Sequence, residues 1–431
     1  MTAASVAAQH AAAPDAAAHS GPRASPGPLA HLRVLDLSRI LAGPFATQTL
    51  ADLGAQVIKV ERPGSGDDTR GWGPPFVGAD QASGVRGDAA YFLSTNRNKR
   101  SITCDLAQPD GQALIRRLAA ISDVVVENYK LGTLARYGLD YPQLAALNPR
   151  LIYCSLTGFG QDGPYASRPG YDYVFQGMGG LMSVTGVPDG EPGAGPMKVG
   201  VAVADLVTAL YATTAILAAV EQRRVSGLGQ HIDLALLDCL VALTSFQAQN
   251  WFASGKVPAR LGNGHPNIVP YQVFACADGH LILAVANDSQ FRSFCAAVGR
   301  AQWADDPRFA VGAARNAHRE LLCGLIAELL RTRPKQAWLE LLDAHGVPCG
   351  PINTIDQVFD DPQVRHRGLR QPMLHASGPI DVVASPLRLS RNPVRYELPP
   401  PQLGEHTDEV LQQLLGLDAA QLAQLRARGV I

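Results

Sequence analysis

Between Lys198 and Glu221 the sequence carries one charged side chain, Asp205. Leu206, Leu210, Thr213, Ile216, Leu217 and Val220 recur at spacings of three and four among abundant alanines, which predicts a buried helix with Asp205 in its first turn. A carboxylate there meets unpaired backbone N–H groups and the positive end of the helix dipole, which favour its charge. Its apolar neighbours strip away water, which opposes it. The chemistry this suits is that of a carboxylate nucleophile or base held in a dry pocket. Two plainer readings compete. Asp is a favoured N-cap, and about twenty apolar residues are long enough to cross a bilayer, although the Ala and Thr content and Asp205 itself speak against a span.

Other reactive or binding residues fall in turns. The loop of turn formers Pro63–Pro75 has Arg62 beside it and Arg70 and Trp72 within it, and Asn96–Arg100 is a basic turn that reads equally as a solvated turn or an anion site. The apolar run Asp123–Val126 ends in Glu127, Asn128 and Tyr129, and the tip of such a strand is where open α/β sheets place ligands. Tyr171 and Asp172 precede the apolar helix, and Arg260 leads into a glycine loop, Gly262-Asn263-Gly264-His265. The seven cysteines are scattered, odd in number and never spaced C-x-x-C, so neither a disulfide framework nor a metal site is expected.

The elements that must position these groups read as α/β. Leu32–Leu37 as a strand, a helix opening at Gly43-Pro44 and a strand over Gln56–Glu61 make a right-handed βαβ unit. Glu61 imitates the acid of a dinucleotide fold, but the first turn, Leu41-Ala42-Gly43-Pro44, lacks the spaced glycines that let backbone approach a pyrophosphate, so NAD binding is poorly supported. Further strands are expected at Ser101–Asp105, Asp123–Tyr129, Leu151–Leu156 and Gln230–Ala235, helices at Asp110–Ile121 and Leu236–Phe252, and a hairpin around Asp278-Gly279. A smaller α+β domain with helices at Ser289–Val298, Arg315–Arg331 and Lys335–His345 follows, and residues 346–431 return to finish the chain.

Composition narrows the class. At 431 residues and 46% hydrophobic content the chain can build more than one core, and a net charge of −1 without a basic stripe argues against nucleic acid as a partner. The free-cysteine pattern fits a reducing compartment, so a cytoplasmic location is expected. The Ala- and Pro-rich first 28 residues have no charged start before an apolar core and read as a disordered tail.

From Leu29 onward the sequence resembles the class III CoA-transferases, the CaiB/BaiF family. The resemblance rests on Val34-Leu-Asp-Leu with Leu41-Ala-Gly-Pro44, Gly54 to Asp67, Asn98-Lys-Arg-Ser-Ile102, Val126-Glu-Asn-Tyr129, Asn148-Pro-Arg150, Gly200 to Asp205, Gly346 to Pro351 and Gly404 to Asp408, in that order. It implies a Rossmann-like large domain built from N- and C-terminal parts, residues 29–225 and 346–431. A linker with a long helix at 226–255, a small domain at 256–345 and an interlocked homodimer complete the implied fold.

The resemblance also implies roles. Asp205 matches the family's catalytic aspartate, which forms an acyl anhydride and then a CoA thioester. No permanently bound cofactor is implied, and coenzyme A enters as cosubstrate. Its implied contacts are Ile40, Leu41, Ala42, Arg62, Cys104, Asp105, Leu106, Asn128, Tyr129, Lys130 and Arg136, with Ala107 standing where some relatives carry a lysine. Gly262 to His265 matches a mobile flap, with Trp72, Tyr171, Asp172 and Arg260 around the acid substrate. Within the family the loop from Arg62 to Gly78 and Ile268 to Gln272 resemble the succinyl-CoA:dicarboxylate branch, with Arg70, Arg100 and Arg260 as candidates for a distal carboxylate. Formyl-CoA or carnitine-type transfer and a non-catalytic acyl-CoA-binding role are the alternatives. An α-methylacyl-CoA racemase is disfavoured, because the His of its two-base motif is Tyr171, and a phenol with a pKa of about 10 is a poor base at neutral pH. Asp172 then reads as a structural carboxylate that also orients Tyr171 or substrate.

Overall fold

The computed structural model describes residues 27–78 and 87–431. All but the last two residues of the expected N-terminal tail lie outside the described residues. Arg33–Asp36 (β1), Gln56–Glu61 (β2), Lys99–Thr103 (β3), Val124–Glu127 (β4), Ile152–Thr157 (β5) and His231–Ala235 (β6) form one parallel sheet in the order β3-β2-β1-β4-β5-β6. The order reverses between β1 and β4, so the turns after these two strands face each other across the switch point, where open α/β sheets receive ligands.

Both faces of this sheet are covered, which is why its strands read as unbroken apolar runs. Val34, Val57, Val124, Val126 and Ile152 point to one face, under the helix Ala42–Asp52 (α1) and the long helix Val203–Ser226 (α3). Leu35, Ile58, Val60 and Val125 point to the other, under Pro109–Ala120 (α2). Val410, Leu411, Leu422, Val430 and Ile431 join that second core, so the end of the chain returns to the first domain's sheet. A separate cluster built on Phe274, Leu281, Leu283, Phe291, Phe294 and Trp338 surrounds a three-stranded antiparallel sheet, Tyr271–Cys276, Gly279–Ala284 and Cys349–Pro351.

The long helix is apolar enough to span a membrane by length and composition, with a mean hydropathy of 1.8. It is instead packed as a core helix, with Ala209, Ala212, Ile216 and Ala219 fully buried against α1 and the sheet. Small alanines at these positions let the two helices approach closely. Gly227 ends it in a left-handed conformation (φ +76°), and Arg223 and Arg224 occupy its last turn, where cations oppose the helix dipole.

Three sequence expectations need correction. The helix expected over Leu236–Phe252 is two helices, Leu236–Leu243 and Ser245–Ser254, broken where Ser245 takes a φ of +44°. That over Arg315–Arg331 is likewise split at His318 into Gly312–Ala317 and Arg319–Leu330. The strand expected at Ser101–Asp105 begins two residues earlier, at Lys99, because the basic turn before it is drawn into the interior. Arg97 pairs with Asp52 and Lys99 with Asp36, and both cations are buried. The anion-site reading of Asn96–Arg100 therefore falls.

Candidate active site

Asp205 is not the N-cap of the long helix. Ala202 holds that position without a side-chain bond, and Asp205 is the third residue of the helix. The capping function comes from a distant segment. Asp172 Oδ1 accepts the Ala204 N–H at 2.7 Å, and its Oδ2 accepts from Gln176 Nε2 at 2.7 Å. Gln176, fully buried, in turn accepts the Val199 N–H at 2.8 Å and fixes the strap leading into the helix. Asp205 is thereby presented half-buried at the start of α3, with the backbone N–H of Ala42, the first residue of α1, close enough to favour its charged form. Burial and the adjacent Asp172 charge push its pKa up to about 7, against the opposing pull of that N–H.

The sequence reading missed a third member. Tyr91, in the short helix Ala90–Leu93, has its phenol pushed up to about 12 by burial and by the charges of Asp205, Asp172 and Asp67. Its ring packs edge-on against Trp72, with centroids 5.3 Å apart. The phenol stays protonated at neutral pH and keeps its hydrogen-bond donor within electrostatic reach of the two carboxylates. Nothing near Tyr91 in the sequence signals this.

Beside the β1 and β4 tips lies a cleft of about 290 Å³. Arg62, Cys104, Asp105, Leu106, Tyr129 and Lys130 all line it, together with Arg39 and Ala107, and the Lys59 and Asp67 side chains lie fully buried beneath its floor. Neither Arg62 nor Lys130 has an ion-pair partner among the described residues, so both are available to an anion. Arg39 pairs with Asp68 at 2.8 Å and lies 5.5 Å from the Tyr129 ring centroid. It too was missed, although it directly precedes Ile40 in the turn the sequence singled out.

Ile40, Leu41 and Ala42 form the β1–α1 turn rather than the lining of this cleft. Asn128 serves that turn, because its amide accepts the Arg39 N–H at 2.9 Å and donates to the Arg39 carbonyl at 2.7 Å. Arg136 is exposed at the end of the helix Thr133–Arg136, whose first residue lines the cleft. The cysteine thiols are unpaired, and burial pushes that of Cys104 up to about 12, so it is an inert wall.

The acid-side residues are spread more widely. Tyr171 is two-thirds exposed, and Trp72 is partly exposed. Arg260 bonds the Val187 carbonyl at 3.2 Å and pairs with Asp189, and Gly262 approaches Pro188. The glycine loop thus rests on a short hairpin, Gly186–Val187 paired with Gly195–Pro196, that precedes the helix of Asp205, while His265 stacks on Phe246. Asn263 and Gly264 continue the loop, and no hydrogen bond joins it to Asp205 among the described residues. Arg70 and Arg100 are committed elsewhere. Arg70 forks onto Glu61 at 2.7 and 2.8 Å and lies 3.6 Å from the Phe92 ring centroid, and Arg100 reaches Glu409 and Gln413. These contacts engage both guanidinium groups within the chain. No group of three or more His, Cys, Asp or Glu side chains is placed to hold a metal among the described residues.

A doubly wound sheet whose switch-point cleft offers Arg62 and Lys130 without ion-pair partners, together with a desolvated carboxylate at a helix start, fits an α/β enzyme for an anionic, nucleotide-like substrate and acyl chemistry. The chain belongs to CoA-transferase family III, whose model matches residues 29–407. It is 53% identical over 388 residues to the succinate–glutarate CoA-transferase of Agrobacterium fabrum, covering 90% of this chain and 96% of that protein. It is 42% identical over 405 residues to the human succinyl-CoA:glutarate CoA-transferase, covering 94% of this chain and 90% of that one. A crystal structure of a CaiB/BaiF family protein from Brucella suis superposes with a TM-score of 0.79 at 48% identity, over 90% of this chain and all of that one. The protein is therefore a family III CoA-transferase, and CoA thioesters are its cosubstrates.

Proposed function

We propose that the enzyme moves CoA from succinyl-CoA to a dicarboxylic acid of the glutarate type, with Asp205 as the nucleophile. The observation that carries this reading is the position of Asp205 in the first turn of a desolvated helix start, with the Ala42 N–H near its carboxylate. The donor and acceptor are those named for the Agrobacterium and human relatives.

The Asp205 carboxylate attacks the thioester carbonyl of the donor, forming an aspartyl acyl anhydride and releasing CoA thiolate. The thiolate attacks the Asp205 carbonyl, giving an aspartyl-CoA thioester and free succinate. The incoming acid attacks that thioester, forming a new anhydride and again the thiolate, which then attacks the acyl carbonyl of the acid and restores the carboxylate. Each step exchanges one activated acyl bond for another, which suits a carboxylate nucleophile, and water must be kept out because the anhydride hydrolyses. Ala42 N–H is a fixed donor for the oxygen that gains charge as the Asp205 carbonyl is attacked. Arg62 and Lys130 are suited to the phosphates of CoA, with Arg136 at the rim. Arg260, whose partner Asp189 is exposed, remains the candidate for the distal carboxylate of the acid.

The same proposal includes an interlocked homodimer. Leu210 and Tyr211 on α3 and Val241, Phe246, Trp251 and Phe252 beyond it are exposed apolar side chains that a partner chain would cover. Residues 226–255 and the start of 346–431 then serve as linkers around the partner, between a large domain from 29 and a small domain over 256–345. The unpaired cysteines support a cytoplasmic setting.

Intact-protein mass spectrometry after incubation with succinyl-CoA and rapid trapping tests the mechanism on the wild type and on Asp205→Asn. A CoA-sized adduct on the wild type alone is expected. Its absence with every acyl-CoA tried, despite CoA binding, overturns the aspartyl pathway.

A further inference from the structure

The turn between β1 and α1 is held in an unfavourable shape. Ile40 takes a φ of +73°, a left-handed conformation that crowds a β-branched side chain against its own backbone and persists only where the surroundings impose it. The surroundings do so one backbone group at a time. Lys59 Nζ bonds the Ser38 carbonyl at 3.0 Å, Asn128 holds both the N–H and the carbonyl of Arg39, and the Ile40 N–H donates to both oxygens of Asp67, at 3.2 and 3.3 Å.

Asp67 is itself locked. It takes the Lys59 ammonium at 2.9 Å and the Thr69 N–H at 3.0 Å, and the Lys59 and Asp67 side chains are both fully buried. A buried ion pair of this kind adds little to stability compared with an apolar pair of the same size, so its presence under this turn calls for another reason. Two residues beyond Ile40 the turn delivers Ala42, whose N–H has no partner within α1 because it belongs to the first residue of the helix. Gly43 then passes so close to Ser38 that a Cβ would lie 2.2 Å from the Ser38 hydroxyl, which leaves the turn no slack.

We propose that Asp67, together with Lys59, is a positioning residue for acyl transfer, holding the strained Ile40 turn so that the Ala42 N–H is aimed at the Asp205 carboxyl group. The inference rests on Asp205 as nucleophile. Because the tether acts on the geometry of a donor at the reacting group, its loss is felt in the rate of the bound complex and much less in the affinity for the donor.

The test follows CoA-adduct formation by rapid quench and mass spectrometry, at varied succinyl-CoA, in three proteins: wild type, K59M/D67L and I40G/K59M/D67L. The double replacement substitutes an apolar pair for the ion pair and so leaves no buried charge unpaired. It is expected to lower the adduct rate at saturating donor by at least about tenfold, with the half-saturating concentration moving less than about threefold. Glycine at position 40 adopts the left-handed conformation without strain, so adding Ile40→Gly is expected to recover a substantial part of the lost rate. If the double variant does not fold, D67N and I40G/D67N are read in the same way. A wild-type rate in the tether variant, a loss confined to donor affinity, or no recovery with glycine overturns the positioning role. No adduct on the wild type itself overturns the Asp205 reading first, and this inference with it.

Discussion

Asp172 and Asp205 are coupled through one helix start. Asp172 Oδ1 accepts the Ala204 N–H at 2.7 Å, and its negative charge acts on the Asp205 carboxylate one residue further on. The same group therefore anchors the nucleophile's helix and opposes the nucleophile's ionisation. A reaction that begins from ionised Asp205 then has an acid limb in kcat/KM near the pKa of the free enzyme, about 7.

Asp172→Asn separates these two effects. The amide oxygen still accepts the Ala204 N–H, while the like charge is gone, so the Asp205 pKa falls and the acid limb moves to lower pH. Asp172→Ala also loses the cap, at a cost of about 0.5–2 kcal/mol in stability. The pH profile of kcat/KM in the Asn variant is the check, and a limb that stays in place means that the Asp172 charge does not reach Asp205.

Glu127 sets a stability slope of definite sign. Burial pushes its carboxyl up to about 7, with Asp233 adding to the rise, while hydrogen bonds from Ser155 and the Tyr129 N–H oppose it. In the unfolded chain the group releases its proton near the ordinary value of 4.5. Between these two values the folded protein binds more protons than the unfolded one, so its contribution is complete below about 4.5 and is lost as pH rises through about 7. Denaturant midpoints measured from pH 5 to 8 are expected to fall with pH in the wild type and to fall less in Glu127→Gln, which keeps the acceptor for Tyr129. Equal slopes in the two proteins would contradict the shift.

Tyr91→Phe tests the donor beside the carboxylates. The phenol is neutral at working pH, and its ring remains packed on Trp72 after the change. Losing a hydrogen bond to a charged carboxylate costs about 1.5–3 kcal/mol, or roughly 10- to 100-fold in kcat/KM for the acceptor acid, with thermal stability nearly unchanged. Initial rates with varied glutarate give the answer, and unaltered acceptor kinetics would place the hydroxyl outside the substrate's path.

The sheet was legible because its strands are continuous apolar runs separated by turn residues, and Asp205 because it is the lone charge in an apolar helix. What sequence could not show depends on distance along the chain. Asp172 caps a helix that begins 31 residues later, and Tyr91, on a helix of four residues, comes within electrostatic reach of Asp205. The cations of Asn96–Arg100 look like solvated or anion-binding groups until Asp36 and Asp52 are seen to enclose Lys99 and Arg97. Periodicity also misses a single backbone break such as Ser245, since the apolar spacing runs straight through it.

Arg70 gives the sharpest contrast between a binding and a structural guanidinium. In sequence it stands in a loop beside Trp72 and suits a dicarboxylate. In the structure its fork is spent on Glu61, its Nη2 also bonds the Pro401 carbonyl at 3.0 Å, and Glu61 accepts from Ser101 as well. Burial pushes the Glu61 carboxyl up, but these partners outweigh it and hold the group below its ordinary value, so it is ionised and depends on Arg70. Arg70→Met leaves that charge buried and unpaired, a loss of about 3–5 kcal/mol, whereas Arg70→Met with Glu61→Leu removes both charges of that pair, gives up only the longer 3.4 Å contact with Asp88, and is expected to regain most of it. Because the Arg70 guanidinium is spent on Glu61 and the Pro401 carbonyl, the ratio of kcat/KM for a dicarboxylate over a monocarboxylate should be the same in the double variant as in the wild type. Chemical denaturation and the two acceptor rates are measured together. A selective loss of the dicarboxylate with unchanged stability would return Arg70 to the binding site.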